Sequence, residues 1–231
     1  NEVFNEWAPL AIARYLDGKR SVGVGCRGNV VFNFEVNRQG RMEFTFRGVL
    51  NDIGDKALIQ GIQYDTSLPP IWESAQIGFA LNDDLSQMDA NDEIAPCLRG
   101  ISVDLGVSVN DRDCAGAANG LLEVRGTDRN ATGTIDGDDT LEVDAGWQSR
   151  LSGGEPSRLS WTLGTQDGAR FTMFAPGVQV TDASEGEENL IASQSVSVRY
   201  TGGDIFDLDS GATDVSSIGG DNEFLVLYHT S

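Results

Sequence analysis

The sequence predicts a mainly β protein built from antiparallel, amphipathic hairpins. Three observations lead there. First, apolar residues recur at every second position in several stretches: Val30, Phe32, Phe34 and Val36 share one face of residues 30–36, with Val31, Asn33 and Glu35 on the other. Second, two segments read alike. Residues 30–48 (VVFNFEVNRQGRMEFTFRG) and 159–177 (LSWTLGTQDGARFTMFAPG) each run strand, polar turn ending in Gly, strand, Gly-Val. Third, 28 glycines among 231 residues, with only 23% charged, fit a loop-rich globular β chain better than a disordered one. A chain of this length can bury one substantial core or two small ones.

The elements follow in order. Residues up to 14 read as a short helix or, since Pro9 interrupts the pattern, as an irregular arm. After a turn at 37–40, the return strand places Met42, Phe44 and Phe46 on a core face and Arg41, Glu43, Thr45 and Arg47 toward water. Residues 51–72 read as loop with short strands, ending in Ser67-Leu68-Pro69-Pro70, where proline forces an extended backbone. An Asp- and Asn-rich segment, 82–93, separates a strand at 76–81 from one at 101–109, where Ile101, Val103, Leu105, Val107 and Val109 alternate with Ser102, Asp104, Gly106 and Ser108. A polar turn at 110–113 leads to a strand at 121–126 and a loop at 128–139. A helix is expected at about 140–149, with Leu141, Ala145 and Trp147 on one side. Strands at 158–163, 169–175, 177–181, 193–200 and 223–229 complete about a dozen, with at most one or two short helices. The expected organisation is one compact unit over 1–231 with an N-terminal arm at 1–19. If the hairpin repeat reflects duplication, two fused half-units lie at about 20–115 and 120–231.

Charge narrows the functional classes. The formal net charge is −20 and unevenly placed: residues 1–50 hold 7 Lys/Arg against 5 Asp/Glu, and residues 51–231 hold 9 against 31. Such a chain repels a phosphate backbone, which argues against nucleic-acid binding driven by counterion release. It also suits a surface past which nucleic acid must move without sticking. No apolar run approaches the roughly 18 residues of a membrane helix, so no membrane partner is expected. Residues 1–20 lack the basic start and apolar centre of a secretory signal.

Catalytic patterns are missing. The single histidine, His229, would have to carry any Ser-His-Asp or Cys-His chemistry alone. Cys26, Cys97 and Cys114 are too widely spaced for a zinc site and are expected as reduced, packed thiols. Asp136-Gly137-Asp138-Asp139 lacks the alternation and closing Glu of an EF-hand loop. Gly202-Gly203-Asp204 and Gly219-Gly220-Asp221 are fragments of a calcium-binding repeat without the repeat. Solvated acidic turns are the favoured reading of these stretches, with weak calcium binding the alternative. Trp7, Trp72, Trp147 and Trp161 are scattered, and Trp161 falls in phase with Leu159 and Leu163, as core packing requires. No metal, cofactor or enzymatic activity is expected.

Several segments, taken in order, resemble the major tail tube proteins of long-tailed, siphovirus-type bacteriophages. They are Gly25-Cys26-Arg27-Gly28 leading into the first hairpin; Ile101-Ser102-Val103-Asp104-Leu105-Gly106 running to Val109-Asn110-Asp111-Arg112-Asp113; the strand at 122–126 with Ala131-Thr132-Gly133-Thr134-Ile135-Asp136; and Leu163-Gly164-Thr165 through Ala175-Pro176-Gly177-Val178-Gln179-Val180-Thr181-Asp182. The resemblance spans roughly residues 20–200. It implies an antiparallel β-sandwich or barrel whose copies join edge to edge into rings, stacked into a tube whose lumen conducts DNA. It further implies a virion location after assembly in the host bacterial cytoplasm, with other tail proteins at the tube ends.

Two sets of residues follow from that resemblance. The polar face of the first hairpin, Asn33, Glu35, Glu43 and Thr45, is the candidate lumen lining, with an ordinary solvated face as the competing reading. Ser160, Thr162, Arg170 and Thr172 are its counterparts in the second hairpin. Arg14, Lys19 and Arg20, in the more basic N-terminal region, are candidates for ring stacking against an acidic surface. A subunit holding two β units closes a pseudo-sixfold ring with three copies, so a trimer is favoured over a hexamer. The alternatives are another tail ring component, distal or terminator, or a carbohydrate- or calcium-binding β-sandwich.

Overall fold

In the computed structural model, the described residues are 9–62, 71–72, 76–81, 97–117, 120–139, 146–154, 157–164, 170–188, 190–201 and 225–229. Their contacts divide the chain into two units, Asn1–Val31, Glu43–Ser67 and Asp104–Asn130 forming the first, Phe32–Met42, Leu68–Val103 and Ala131–Ser231 the second. Each unit draws on three segments that interleave along the chain.

The first unit is organised around two long strands. β1 (Leu10–Leu16) pairs antiparallel with the start of β2 (Lys19–Glu35), in a register running from Leu16↔Lys19 to Leu10↔Cys26. Residues expected as helix or arm therefore form a strand here. The reason lies in Asp17-Gly18, whose φ values of 47° and 76° suit the tight two-residue turn that closes hairpins. β3 (Arg41–Asp55) pairs with β2. At 17 and 15 residues, β2 and β3 far exceed the five or six residues usual for strands.

A second hairpin in this unit joins β6 (Val107–Asp113) to β7 (Leu121–Arg129), with Val107↔Arg129 and Asn110↔Arg125 in register. The uninterrupted strand expected over 101–109 is broken before β6. Asp104 Oδ1 accepts the Gly106 backbone N–H at 2.8 Å and an Asn29 side-chain N–H at 2.6 Å. Gly106 adopts φ +61°, and a Cβ there would lie 2.0 Å from the Asn130 carbonyl oxygen. Only glycine fits this turn without displacing backbone.

The second unit holds a sheet in the order β5 (Leu98–Asp104), β8 (Thr132–Asp138), β11 (Ile191–Thr201), β10 (Arg170–Glu188), β9 (Ser157–Leu163), β4 (Gln76–Leu81), with β12 (Leu225–His229) also on β10. Strict alternation buries one face: Val196, Val198 and Tyr200 of β11 are buried, while Ser195, Ser197 and Arg199 are more open. Trp161 and Met173 face each other across the β9–β10 ladder and are 1% and 0% exposed. Phe34, from the end of β2, meets Trp72 and Trp161 edge-on at ring distances of 6.0 and 6.1 Å. Trp161 thus sits in the core to which its phase with Leu159 and Leu163 assigns it.

A helix overlaps the expected one at 147–149 and runs past its expected end. α1 (Trp147–Gly153) starts after Gly146 and stops at Gly154, both left-handed at φ 61° and 66°. Trp147 and Arg150, three apart and so on one face, are its buried residues, and Arg150 donates to Ser157 Oγ at 2.7 Å. Residues 140–145, which the sequence assigns to the start of the helix, lie outside the described residues. So do the fragments at 202–204 and 219–221, and Trp7.

Candidate assembly surface

β3 is the anomalous element. Alternation along residues 41–47 matches a strand with one face in a core, yet every one of these residues is exposed. Met42, Phe44 and Phe46 are 55%, 58% and 43% exposed, which corrects their expected place in the core. The physical reason is coverage: among the described residues β3 has β2 as its only partner strand, and its apolar side chains stay about half exposed. Phe44 and Phe46, two apart and so on the same side, stack on one another at 5.8 Å with an interplanar angle of 4°. That contact shelters part of each ring and leaves the outer faces to water.

The strands beneath this face are locked closely. A Cβ on Gly28 would lie 2.0 Å from the Thr45 carbonyl oxygen, and one on Gly48 would lie 2.4 Å from Cys26 Sγ. Small residues thus let the β2 and β3 surfaces meet. Arg20 donates to Asp52 at 2.5 Å, and this bond holds the guanidinium above its ordinary pKa. Arg47 pairs with Asp111 of β6 at 2.8 Å.

The hairpin β6–β7 carries its own network. Glu123 accepts from Arg112 at 2.8 Å and from Arg125 at 2.7 Å. The Arg112 bond, then the Arg125 bond, holds the Glu123 carboxyl below its usual range despite partial desolvation. In the second unit, Asp138 accepts from Arg99 Nε at 2.9 Å, and the Arg99 guanidinium likewise lowers its pKa. The Asp138 carboxylate in turn pushes the Cys97 thiol up.

The lumen candidates are not all gathered in one unit. Glu43 and Thr45 are exposed on β3 in the first unit. Asn33 and Glu35 belong to the second, where Asn33 is half-buried and Glu35 pairs with Arg38 at 2.7 Å. Among the stacking candidates, Arg14 and Lys19 are exposed, whereas Arg20 is half-buried and already engaged by Asp52. In the second hairpin, Thr162 and Thr172 face each other with their hydroxyls 2.9 Å apart, and Ser160 is half-buried. Sequence reasoning missed the open apolar face of β3, which pattern alone cannot tell from a core face. No signal in the sequence could have found it, since the lengths of β2 and β3 show only in the structure.

Among the described residues no group of three or more His, Cys, Asp or Glu could hold a metal ion. Nor is any helix there long and apolar enough to cross a membrane. Neither a family description nor a curated protein matches the sequence. Among solved structures, the chain is similar to the SPP1 tail tube, determined by solid-state NMR and cryo-electron microscopy, at 9% identity and a TM-score of 0.38, over 57% of this chain and 75% of that one.

The tail of an empty gene transfer agent particle, refined with C6 symmetry, is matched at 17% identity and a TM-score of 0.38, over 59% of this chain and 92% of that one. The virion of a native gene transfer agent particle is matched at 17% identity and a TM-score of 0.36, with the same coverage. The mainly β, antiparallel architecture expected from the sequence is the architecture observed.

Proposed function

We propose that this chain is a structural protein of a phage tail, whose copies join into rings that stack into a tube conducting DNA. The observation that carries the reading is the two-sided exposure of β3, an edge strand presenting Met42, Phe44, Phe46 and Leu50 to solvent. Monomeric proteins seldom expose contiguous apolar patches of more than a few hundred Å², and they normally blunt long edge strands. An edge that offers backbone pairing and an apolar face together is suited to a neighbouring copy.

The polar side of the same strand supports a lumen role for Glu43 and Thr45. Arg47, whose positive charge would attract DNA, is matched by Asp111 at 2.8 Å, so the ion pair leaves that face less cationic than its sequence implies. With a formal net charge of −20, the assembled wall would repel a passing phosphate backbone. We favour three copies per ring, each supplying two β units, over six. Virion location, cytoplasmic assembly and partners at the tube ends belong to the same reading.

Negative-stain electron microscopy across protein and salt concentration tests it. Stacked rings with an open lumen are expected, and their rotational symmetry decides between three and six copies. Single rings that never stack would indicate a terminator or distal ring component. A chain that stays monomeric throughout, with or without bound sugar or calcium, would overturn the proposal.

A further inference from the structure

We propose that the tip of the β10–β11 hairpin of one copy docks into a groove on the β1–β2–β3 sheet of a second copy. The inference rests on the self-assembly reading above and specifies the surfaces that meet. Glu188 and Ile191 pair across the hairpin, which leaves two residues at the tip. Leu190, one of them, is 91% exposed, the most exposed large apolar side chain among the described residues, and Ile191 is 52% exposed. Leu190 also adopts φ +66°, a left-handed conformation that costs a leucine energy and returns no burial within the chain. Glu185 and Glu187, both exposed, flank it on β10.

The groove has the complementary character. Ile12, Phe46 and Leu50 line it with apolar side chains, Gly23 and Gly48 with bare backbone, and Arg14 with a cation. It is an open depression of about 250 Å³, room for a leucine side chain laid against the sheet. Phe46 and Leu50 are 43% and 49% exposed, so a leucine entering between them would remove apolar surface on both partners. The flanking carboxylates would meet Arg14, within residues 1–50, which hold 7 Lys/Arg against 5 Asp/Glu.

Tip and groove are different patches, so the contact is head-to-tail. Repeated between copies, it closes into a ring or propagates without limit. Phe46 and Leu50 then belong to the tip contact, which stacks rings, and the β3 backbone edge with Met42 and Phe44 is left for neighbours within a ring.

Disulfide capture between two variants tests the contact. Ile12→Cys and Leu190→Cys are prepared separately, each in a Cys26→Ala/Cys97→Ser/Cys114→Ser background, then mixed and oxidised. A covalent dimer in the mixture, and in neither variant alone, is expected, and mixing excludes a bond within one chain. Rings or tubes with no dimer would overturn the docking while leaving self-assembly intact. Failure of the wild type to form any ring or tube would instead overturn the reading beneath it. Because Leu190 is almost wholly exposed, Leu190→Glu should fold normally and shorten tubes at least tenfold while rings persist; tubes of unchanged length would overturn the proposal. Glu187→Arg and Arg14→Glu should each shorten tubes and together restore them, and additive loss would count against the pairing.

Discussion

The two hairpins that read alike in sequence meet opposite environments. In the second, Phe171-Thr172-Met173 lies in β10 between β9 on one edge and β12 on the other, and Met173 is wholly buried. In the first, Phe44-Thr45-Phe46 lies in β3, with β2 as its only partner strand among the described residues and both rings about half exposed. Alternation reports that a strand has an apolar side. What covers that side depends on neighbouring strands, and for β3 those neighbours are proposed to be other copies.

The sharpest contrast comes from truncating the same aromatic class in each hairpin. Trp161→Ala, opposite Met173 in the closed hairpin, should cost about 3–5 kcal/mol of unfolding free energy, because it opens a cavity in a core only a few per cent exposed. Phe44→Ser should cost about 1 kcal/mol or less in the monomer, since only the stacked contact with Phe46 is lost. The same change should abolish rings and tubes. Denaturant titration of the monomer beside electron microscopy separates the two effects. A large monomer penalty for Phe44→Ser would mean that β3 serves its own core.

Much of this fold was legible in the residues. Phase alone assigns Phe32, Phe34, Trp161, Ile101 and Val103 to a core, and each is buried. What phase does not deliver are the points where backbone geometry overrides it. The alternation from Ile101 to Val109 is continuous in sequence, but Asp104 caps the Gly106 N–H and turns the chain between β5 and β6. The start of β1 is hidden because Pro9 speaks only to helix breaking, while the decisive signal is Asp17-Gly18, a hairpin turn in two letters. Of the candidate surface, the polar residues Glu43 and Thr45 read as exposed from their phase and are. Their apolar neighbours read as core because no single-chain pattern distinguishes a face buried within a subunit from one buried between subunits.

An intermediate effect tests the Gly106 turn. Gly106→Ala would force a Cβ within 2.0 Å of the Asn130 carbonyl oxygen at a positive φ, and about 1–3 kcal/mol of stability should be lost. Gly18 is also at positive φ, but a Cβ there would meet nothing within 4 Å. Gly18→Asn should therefore be nearly neutral, since asparagine tolerates the left-handed region. Equal penalties at the two glycines would mean that conformation alone, and not crowding, governs the Gly106 turn.

The smallest effects are electrostatic, and they again set the two units side by side. Asp138 in the second unit and Glu123 in the first are both held below their ordinary values, of 3.8 and 4.5, chiefly by hydrogen bonds from Arg99 and Arg112 respectively. A carboxyl whose folded pKa is depressed binds fewer protons folded than unfolded. Its contribution is therefore complete above the unfolded value and is lost as pH falls through the folded one. Thermal melts should decline below about pH 4, and Asp138→Asn and Glu123→Gln should each flatten that decline, by less than any substitution above because both pairs are partly open to solvent. Cys97 supplies a probe specific to the second unit. The Asp138 carboxylate raises the thiol pKa, which lowers the thiolate fraction at neutral pH. Asp138→Asn should accordingly speed alkylation of Cys97 while leaving exposed Cys114 unchanged. If both thiols accelerate together, the substitution has loosened the structure, and the rate at Cys97 no longer reports on its neighbouring charge.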